Sequence, residues 1–234
     1  MITEEIVHIK GYPKKLIVFL HGYIDSPDYI DKNVTVLLDN LDDVAIHIPQ
    51  SPHVCEIYPK KFQWYSMHRF DPNDDRKFID DWNEYLGIYD RMKPGIIEAF
   101  DLINPYIDNC LSEYDIASKD LYICGYSQGG TLAVFTSLMR DEEVGGLISF
   151  GGIFAPREYI KNNYKSVPDS LLIHGEVDNQ VRFEALEYTK ENLEEIGCQV
   201  AAHAIHNGQH RLTEEGMELA LRFIQRKSAK KIAV

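Results

Sequence analysis

Short apolar runs alternate with longer amphipathic segments along the chain, and this alternation restricts the folds that the sequence can adopt. Nearly continuous apolar runs of this length are typical of strands that are covered on both faces. Strands of this kind that alternate with helices favour an α/β protein with a mostly parallel central sheet, flanked by helices on both faces. The runs are residues 16–20, 44–48, 121–124, 147–150 and 171–174.

Helical spacing is clearest in the segment that begins near Met92. Apolar residues recur there at steps of three and four up to Ile107, and Pro94 fits the first turn of a helix. Similar patterns predict helices over residues 131–140, over 183–196 and from Thr213 onward, and residues 199–205 are a further candidate strand. The end of the last helix, residues 227–234, is expected to fray.

The segment 55–90 departs from this pattern. It is dense in Tyr, Trp, Phe and Asp and has little clear periodicity, so we interpret it as a long excursion between a strand and a helix. Long excursions in compact domains are often functional. Two roles stay open for this one, a partial lid over a substrate pocket and the surface of a homodimer.

The charge balance excludes some classes of partner. The chain has 24 basic and 37 acidic residues, a formal net charge of −13, which argues against nucleic acid and against standing attraction to anionic membranes. We find no run near the roughly 18 apolar residues that a spanning helix needs. The four cysteines lack the C-x-x-C spacing of zinc or redox sites, so reduced thiols and a cytoplasmic protein are expected.

The strongest chemical signal is the sequence Gly-Tyr-Ser-Gln-Gly at residues 125–129. It follows the predicted strand 121–124 and precedes a helical run, which is the context of a serine nucleophile on a sharp strand-to-helix turn. Such a turn needs small neighbours because the backbone is strained and closely packed. We therefore predict that Ser127 is a nucleophile.

A serine hydroxyl needs a histidine to accept its proton, and that histidine is oriented by a carboxylate. On this scaffold the acid and then the histidine follow the serine along the chain. Asp178 follows the strand 171–174 and is our candidate acid, with Glu176 as the competing carboxylate. His210, in a turn before the last helix, is the candidate base, with His206 second.

Serine chemistry also needs hydrogen-bond donors for the oxyanion of the tetrahedral intermediate. One is expected from the backbone N–H after the nucleophile, which belongs to Gln128. The other should come from the loop after an early strand, and the strand 16–20 leads directly into His21 and Gly22. The backbone N–H of Tyr23 is our candidate for this second donor.

Together these motifs resemble the phospholipase/carboxylesterase family of α/β-hydrolases, which includes acyl-protein thioesterases. The resemblance extends from about Leu16 to Ile224, and the Ser-Gln-Gly-Gly form at 127–130 is more specific than a bare G-x-S-x-G. Pro-Gln-Ser-Pro at 49–52 and Trp-Tyr at 64–65 are similar to the family's proline-rich loop and Trp-Phe segment. The resemblance implies a single-domain α/β-hydrolase fold over residues 1–234.

Carried over by position, the resemblance implies Ser127, Asp178 and His210 as the catalytic residues and the amides of Tyr23 and Gln128 as the oxyanion hole. Trp64 and Tyr65 become candidates for substrate binding. The chain departs from the family at two places. Ile24 replaces the usual second glycine of the first loop, and Gln209 stands where glycine commonly precedes the histidine.

Two classes of function remain at this point. The first is a metal- and cofactor-independent serine hydrolase of the carboxylesterase, lysophospholipase or acyl-protein thioesterase type. It would cleave a small ester or thioester, including those of acylated lipids or proteins. Aromatic residues near the expected pocket, among them Tyr23, Trp64 and Tyr65, favour an apolar acyl group. The second class is a non-catalytic binding protein on the same fold.

Overall fold

The computed structural model describes residues 2–232, with side chains through residue 226. Seven strands of this described part form one sheet and two form a small separate hairpin. In chain order the strands are β1 (Glu5–Lys10), β2 (Lys15–Leu20), β3 (Val44–Pro49), β4 (His53–Val54), β5 (Phe62–Gln63), β6 (Leu121–Tyr126), β7 (Gly146–Phe150), β8 (Ser170–Gly175) and β9 (Val200–Ile205). The large sheet has the order β1-β3-β2-β6-β7-β8-β9.

All pairs in the large sheet are parallel except the pairing of β1 with β3 at one edge. The predicted α/β fold with a mostly parallel sheet is confirmed. The sequence analysis did not predict β1, because its apolar residues alternate with polar ones instead of forming a continuous run. Its side chains alternate between exposed and half-buried, as expected for an edge strand with one solvated face.

Helices cover both faces of the sheet, as predicted. Alternate residues of β2 pack into two different apolar clusters, with Leu16 and Val18 in one and Ile17 and Phe19 in the other. The helices are α1 (Pro27–Asp31), α2 (Thr35–Asn40), α3 (Trp82–Arg91), α4 (Lys93–Tyr114), α5 (Gln128–Met139), α6 (Arg157–Asn163), α7 (Glu184–Glu195) and α8 (Glu214–Ile232). Helices α3 to α5 contribute to the first cluster, and α1, α2 and α8 to the second.

The excursion 55–90 contains more regular structure than its sequence suggested. It holds β5, a short 3₁₀ turn over Asp75–Lys77 and most of α3. The start of α3 is fixed by the Asp81 carboxylate, which accepts a hydrogen bond from the backbone N–H of Glu84. This capping pair is a sequence signal for α3, which begins ten residues before the helix predicted near Met92.

The last helix begins at Glu214, directly after the predicted Thr213, and is described through Ile232. The fraying predicted for residues 227–234 falls on parts of the chain that are not described: the side chains of residues 227–232 and the whole of residues 233 and 234. Within residues 2–232, no helix combines the length and the apolar character that crossing a membrane requires.

Candidate active site

Ser127 lies in the tight turn between β6 and α5, at the carboxyl end of the sheet. Its backbone has φ 56° and ψ −117°, a region that L-residues other than glycine rarely occupy. Its N–H donates a hydrogen bond of 2.7 Å to the carbonyl of Phe150, the last residue of β7. The neighbouring strand thus holds the serine in a strained conformation, as is common at functional sites.

The two glycines of the motif are required by close backbone contacts. A Cβ atom on Gly125 would overlap the carbonyl of Gly129, and a Cβ atom on Gly129 would overlap the carbonyl of Leu20. Helix α5 therefore packs its first turn directly against β6 and β2. This close approach explains the small residues on both sides of Ser127.

The predicted histidine and carboxylate meet at the serine. The hydroxyl of Ser127 lies 2.8 Å from Nε2 of His210, and Nδ1 of His210 lies 2.6 Å from Oδ2 of Asp178. In this chain of contacts the serine donates to Nε2, and Nδ1–H donates to the carboxylate. The arrangement can remove the serine proton and stabilise the imidazolium that results.

The carboxylate of Asp178 is buried and well supplied with donors. Its Oδ1 accepts the backbone N–H groups of Gln180 and Val181 at 2.8 and 2.9 Å. Its Oδ2 also lies 3.3 Å from Nε2 of His174. Burial alone would raise the pKa of Asp178, but hydrogen bonds from His174 and His210 and the charge of His210 hold it well below its ordinary value. The group therefore stays ionised while it orients His210.

The competing residues lie elsewhere. Nδ1 of the exposed His206 is 2.7 Å from the carboxylate of Glu176, and the two side chains form a hydrogen bond on the surface. Within the described side chains, no group of three or more His, Cys, Asp or Glu residues is placed to hold a metal ion. The geometry brings His210 and Asp178 to Ser127, and leaves the two alternatives paired with each other.

The loop after β2 is built around a buried histidine. Nδ1–H of His21 donates to the carbonyl of Gly22 at 2.8 Å, and Nε2 accepts the N–H of Ser51 at 3.1 Å. Burial lowers the pKa of His21 to about 4, despite the opposing hydrogen bond to Gly22. His21 is therefore a neutral structural residue, and its ring packs against Trp64 at 5.0 Å between centroids.

Acidification is expected to destabilise the fold through His21. Between pH 6.5 and 4 the unfolded chain binds a proton at this residue and the folded chain does not. The free energy of unfolding therefore decreases as the pH is lowered, by about 3 kcal/mol at pH 4. Urea unfolding at several pH values measures the slope of the unfolding free energy against pH. His21→Gln should flatten it, whereas His203→Gln, at an exposed position of β9, should leave it unchanged; equal slopes in all three proteins would contradict the assignment.

Gln128 connects the nucleophile turn to the excursion. Its side-chain Oε1 accepts the backbone N–H of Trp64, and its Nε2 donates to the carbonyl of Tyr65, both at 2.8 Å. The indole N–H of Trp64 in turn donates to the carbonyl of His21 at 2.9 Å. The buried amide of Gln128 thus joins the turn to the excursion, and Trp64 joins the excursion to the loop after β2.

Replacing Gln128 by alanine retains its backbone N–H but removes both side-chain bonds. We expect a loss of about 2 kcal/mol in unfolding free energy, because the buried N–H of Trp64 loses its partner. We also expect roughly a tenfold loss in ester hydrolysis, since the backbone amide loses its support. Gln63→Ala, in the excursion that Gln128 contacts, should not slow the reaction. Full activity in Gln128→Ala would show that the side chain plays no part in positioning.

The two residues proposed for substrate binding lie at different depths. Tyr65 lines a cavity that opens at Ser127, together with Tyr23 and Gln128. Trp64 does not line that cavity; it is 1% exposed and lies behind it against His21. Tyr65 therefore lies in the wall of the cavity at the serine, and Trp64 packs behind that wall against His21.

Ile24 shows how the chain accommodates its departure from the family pattern. Its backbone adopts φ 55°, a left-handed conformation that favours glycine. A β-branched residue there is a genuine outlier. The loop is also fastened to β5, because Asp25 and Phe62 exchange backbone hydrogen bonds of 3.3 and 3.0 Å. The loop therefore keeps its positive φ without a glycine.

Tyr126 holds the other side of His210. Its hydroxyl donates to the carbonyl of His210 at 2.8 Å, and the two rings lie 5.0 Å apart between centroids. The sequence analysis treated this position only as the variable residue of the motif. A signal was present in the hydroxyl of the side chain, but only the fold shows what that hydroxyl contacts.

Tyr126→Phe removes a single hydroxyl and keeps the ring against His210. We expect unfolding free energy to fall by about 1 kcal/mol and kcat/KM by several-fold, because the histidine backbone becomes less constrained. Tyr122→Phe is the matched control, since its hydroxyl contacts Ile224 far from the serine. An equal effect of both substitutions on kcat/KM would exclude a positioning role for Tyr126.

Comparison with known proteins covers nearly the entire chain. The sequence model of the phospholipase/carboxylesterase family matches residues 1–228. Acyl-protein thioesterase 1 of Debaryomyces hansenii is 25% identical over 223 residues, which are 90% of each chain. The family match includes all of the segments that meet at Ser127.

Solved structures show the same fold. The crystal structure of esterase PE8 superposes with a TM-score of 0.81 and 22% identity, covering 95% of this chain and 97% of the other. Acyl-protein thioesterase 2 of Zea mays superposes with a TM-score of 0.70 and 17% identity, covering 96% and 98%. The chain therefore has the α/β-hydrolase fold of esterases.

Proposed function

Because this chain belongs to the phospholipase/carboxylesterase family, we propose that it is a serine hydrolase that cleaves carboxylic esters or thioesters through an acyl-enzyme. The observation that carries the proposal is the continuous set of contacts from Ser127 through His210 to Asp178. The family's description as phospholipase/carboxylesterase supports carboxylic esters, including those of lipids, and the relative named acyl-protein thioesterase 1 supports thioesters of acylated proteins.

In the proposed reaction, Ser127 Oγ attacks the acyl carbon while Nε2 of His210 takes the hydroxyl proton. The carbonyl oxygen becomes an oxyanion, to which the backbone N–H groups of Tyr23 and Gln128 donate. When the tetrahedral intermediate collapses, the alcohol or thiol leaves with the proton from His210, and the acyl group stays on Ser127. Water then attacks this ester with His210 as base, which releases the acid and restores the serine.

We assign each requirement of this chemistry to a residue of the chain. His210 supplies the base, Asp178 keeps it oriented, and the two amides stabilise the oxyanion, so the mechanism uses no cofactor. A non-catalytic binding protein would be favoured by a missing or displaced member of the triad, whereas here all three lie within hydrogen-bond distance. The four buried, unpaired cysteines agree with the cytoplasmic location that we propose.

A fluorophosphonate probe tests the proposal directly. Wild-type protein should be labelled covalently at one residue, and peptide mapping should identify that residue as Ser127. Ser127→Ala should be neither labelled nor able to hydrolyse a p-nitrophenyl ester. Ser149→Ala, on the neighbouring strand β7, is the control and should still be labelled. An unlabelled wild-type protein that is folded and inactive toward esters and thioesters would contradict the proposal.

A further inference from the structure

The cavity at Ser127 is small. Its volume is about 160 Å³, whereas sites for drug-sized ligands usually measure roughly 300–1,000 Å³. In the reaction proposed above, on which this inference rests, the acyl group stays on Ser127 after the alcohol has left. The cavity beside the serine is where that acyl group would lie, and its small volume favours a short group.

The lining of this cavity combines apolar surface with several polar groups. Four tyrosines line it, Tyr23, Tyr65, Tyr89 and Tyr126, and so does the guanidinium-bearing Arg76. Three aliphatic or thioether side chains accompany them: Ile24, Met67 and Val181. The exposed lining is more apolar than polar, which fits the expected apolar pocket, but the tyrosine hydroxyls and the guanidinium add hydrogen-bonding groups that the sequence did not indicate.

Arg76 is the charged group of the cavity, and it is held firmly. Its side chain is 7% exposed, and Nη1 donates to Asp71 at 2.6 Å and to Asp74 at 2.7 Å. Among the described residues, the hydrogen bonds of Arg76 to carboxylates are both made by Nη1. The Nε–H and Nη2–H donors of the planar fork are therefore not used by a carboxylate.

The guanidinium also acts electrically on the tyrosines around it. Burial raises the pKa of Tyr23, Tyr65 and Tyr89, and the positive charge of Arg76 opposes that rise at each of them. Arg76 lines the same cavity as all three of these side chains. It places a permanent cation, with donors to spare, in the cavity that the acyl group would occupy.

The two carboxylates decide which kind of acyl group suits this cation. Asp71 and Asp74 are balanced by Arg76 and by Lys77, whose Nζ lies 3.0 Å from Asp74, so the cluster has no excess positive charge to attract an anionic acyl group. An acyl group with its own carboxylate would add a third negative charge close to the buried Asp71. A neutral oxygen can accept a hydrogen bond from the guanidinium without this repulsion.

From the size, the lining and the charge balance, we propose that Arg76 selects substrates whose acyl group is short, uncharged and carries an oxygen acceptor beyond the scissile carbonyl. Hydroxy, keto and ether acyl groups belong to this class. A long alkyl chain does not fit the volume. A short alkyl chain fits but leaves the guanidinium donors unpaired when it excludes water from the cavity.

A panel of methyl esters, followed in a pH-stat, tests the proposal with the wild-type protein. Methyl 3-methoxypropanoate and methyl pentanoate have acyl groups of equal length that differ by one oxygen in place of a methylene. Methyl octanoate tests size and monomethyl succinate tests charge. Each kcat/KM is divided by the rate constant for hydroxide-catalysed hydrolysis of the same ester. The methoxy ester should be preferred over the pentanoate by about tenfold or more, as expected for a hydrogen bond to a charged donor.

Variants then assign the preference to the guanidinium. Arg76→Met is combined with Asp71→Asn so that no unpaired buried charge remains, and the double variant should show a preference near one. Asp71→Asn alone and Lys77→Met, which removes the neighbouring cation, should keep the preference. If circular dichroism shows that the double variant is unfolded, the ester panel on the wild-type protein still decides the question.

The outcomes separate this inference from the proposed function. Equal rates for the methoxy ester and the pentanoate, or a faster reaction of the octanoate or the succinate ester, would overturn the acyl selectivity. Preservation of the preference in a folded double variant would overturn the role of Arg76. In each of these cases labelling at Ser127 would persist. Absence of both labelling and hydrolysis would instead contradict the serine hydrolase itself.

Discussion

His210→Ala is expected to lower kcat for a p-nitrophenyl ester by about 10⁴- to 10⁶-fold, because Ser127 loses the group that accepts its proton. The effect is large since the attack and the later attack of water both use the same imidazole. Labelling by a fluorophosphonate should slow in parallel. Single-turnover and steady-state rates measured on folded protein give the comparison.

The chain offers a matched control for this substitution. His206 lies four positions earlier, is exposed and pairs with Glu176 on the surface. His206→Ala should retain full activity. More than a hundredth of the wild-type rate in His210→Ala, or an equal loss in both variants, would contradict the role assigned to His210.

Asp178→Asn is expected to lower kcat by about 10³- to 10⁴-fold. The aspartate accepts His210 Nδ1–H on one oxygen and two backbone N–H groups on the other. An amide has only one oxygen, so an asparagine that keeps the backbone bonds turns its NH₂ group toward Nδ1. His210 must then carry its proton on Nε2, which prevents it from accepting the proton of Ser127.

The pH and control measurements separate this effect from general damage. Glu176→Gln removes the neighbouring carboxylate, which contacts His206 and not His210, and should leave the rate unchanged. Asp178→Asn should have an unchanged or modestly lower thermal midpoint with a normal circular dichroism spectrum. Retention of activity in Asp178→Asn, together with loss in Glu176→Gln, would exchange the two assignments.

The residues that meet at the serine could be predicted because each lies at the end of a recognisable strand. Ser127, Asp178 and His210 follow β6, β8 and β9, and the carboxyl ends of parallel strands meet at one edge of a sheet. Strand ends and turns are local features, so the sequence carries them. The choice of His210 over His206 was weaker, because both lie after the same strand.

The rest depended on contacts between distant segments. Arg76 lies in an acidic stretch that indicates a solvated surface, and only the packing of the excursion brings it into the cavity beside Ser127. Of the aromatic residues expected at the pocket, Trp64 lies behind it, whereas Tyr89 of α3 was not predicted to be there. Polarity of a pocket depends on which atoms of these side chains face inward, and a sequence pattern does not give that orientation.

The pairing of β2 with β6 has a consequence for how the protein folds. Leu16 pairs with Leu121, so neighbouring strands in the middle of the sheet are separated by about a hundred residues of chain. Contacts of such long sequence separation form slowly, because the intervening loop must be closed before they contribute. The turn at Ser127 packs on both of these strands through Gly125 and Gly129. The nucleophile is therefore assembled late, and during refolding the recovery of activity should lag behind the formation of helices.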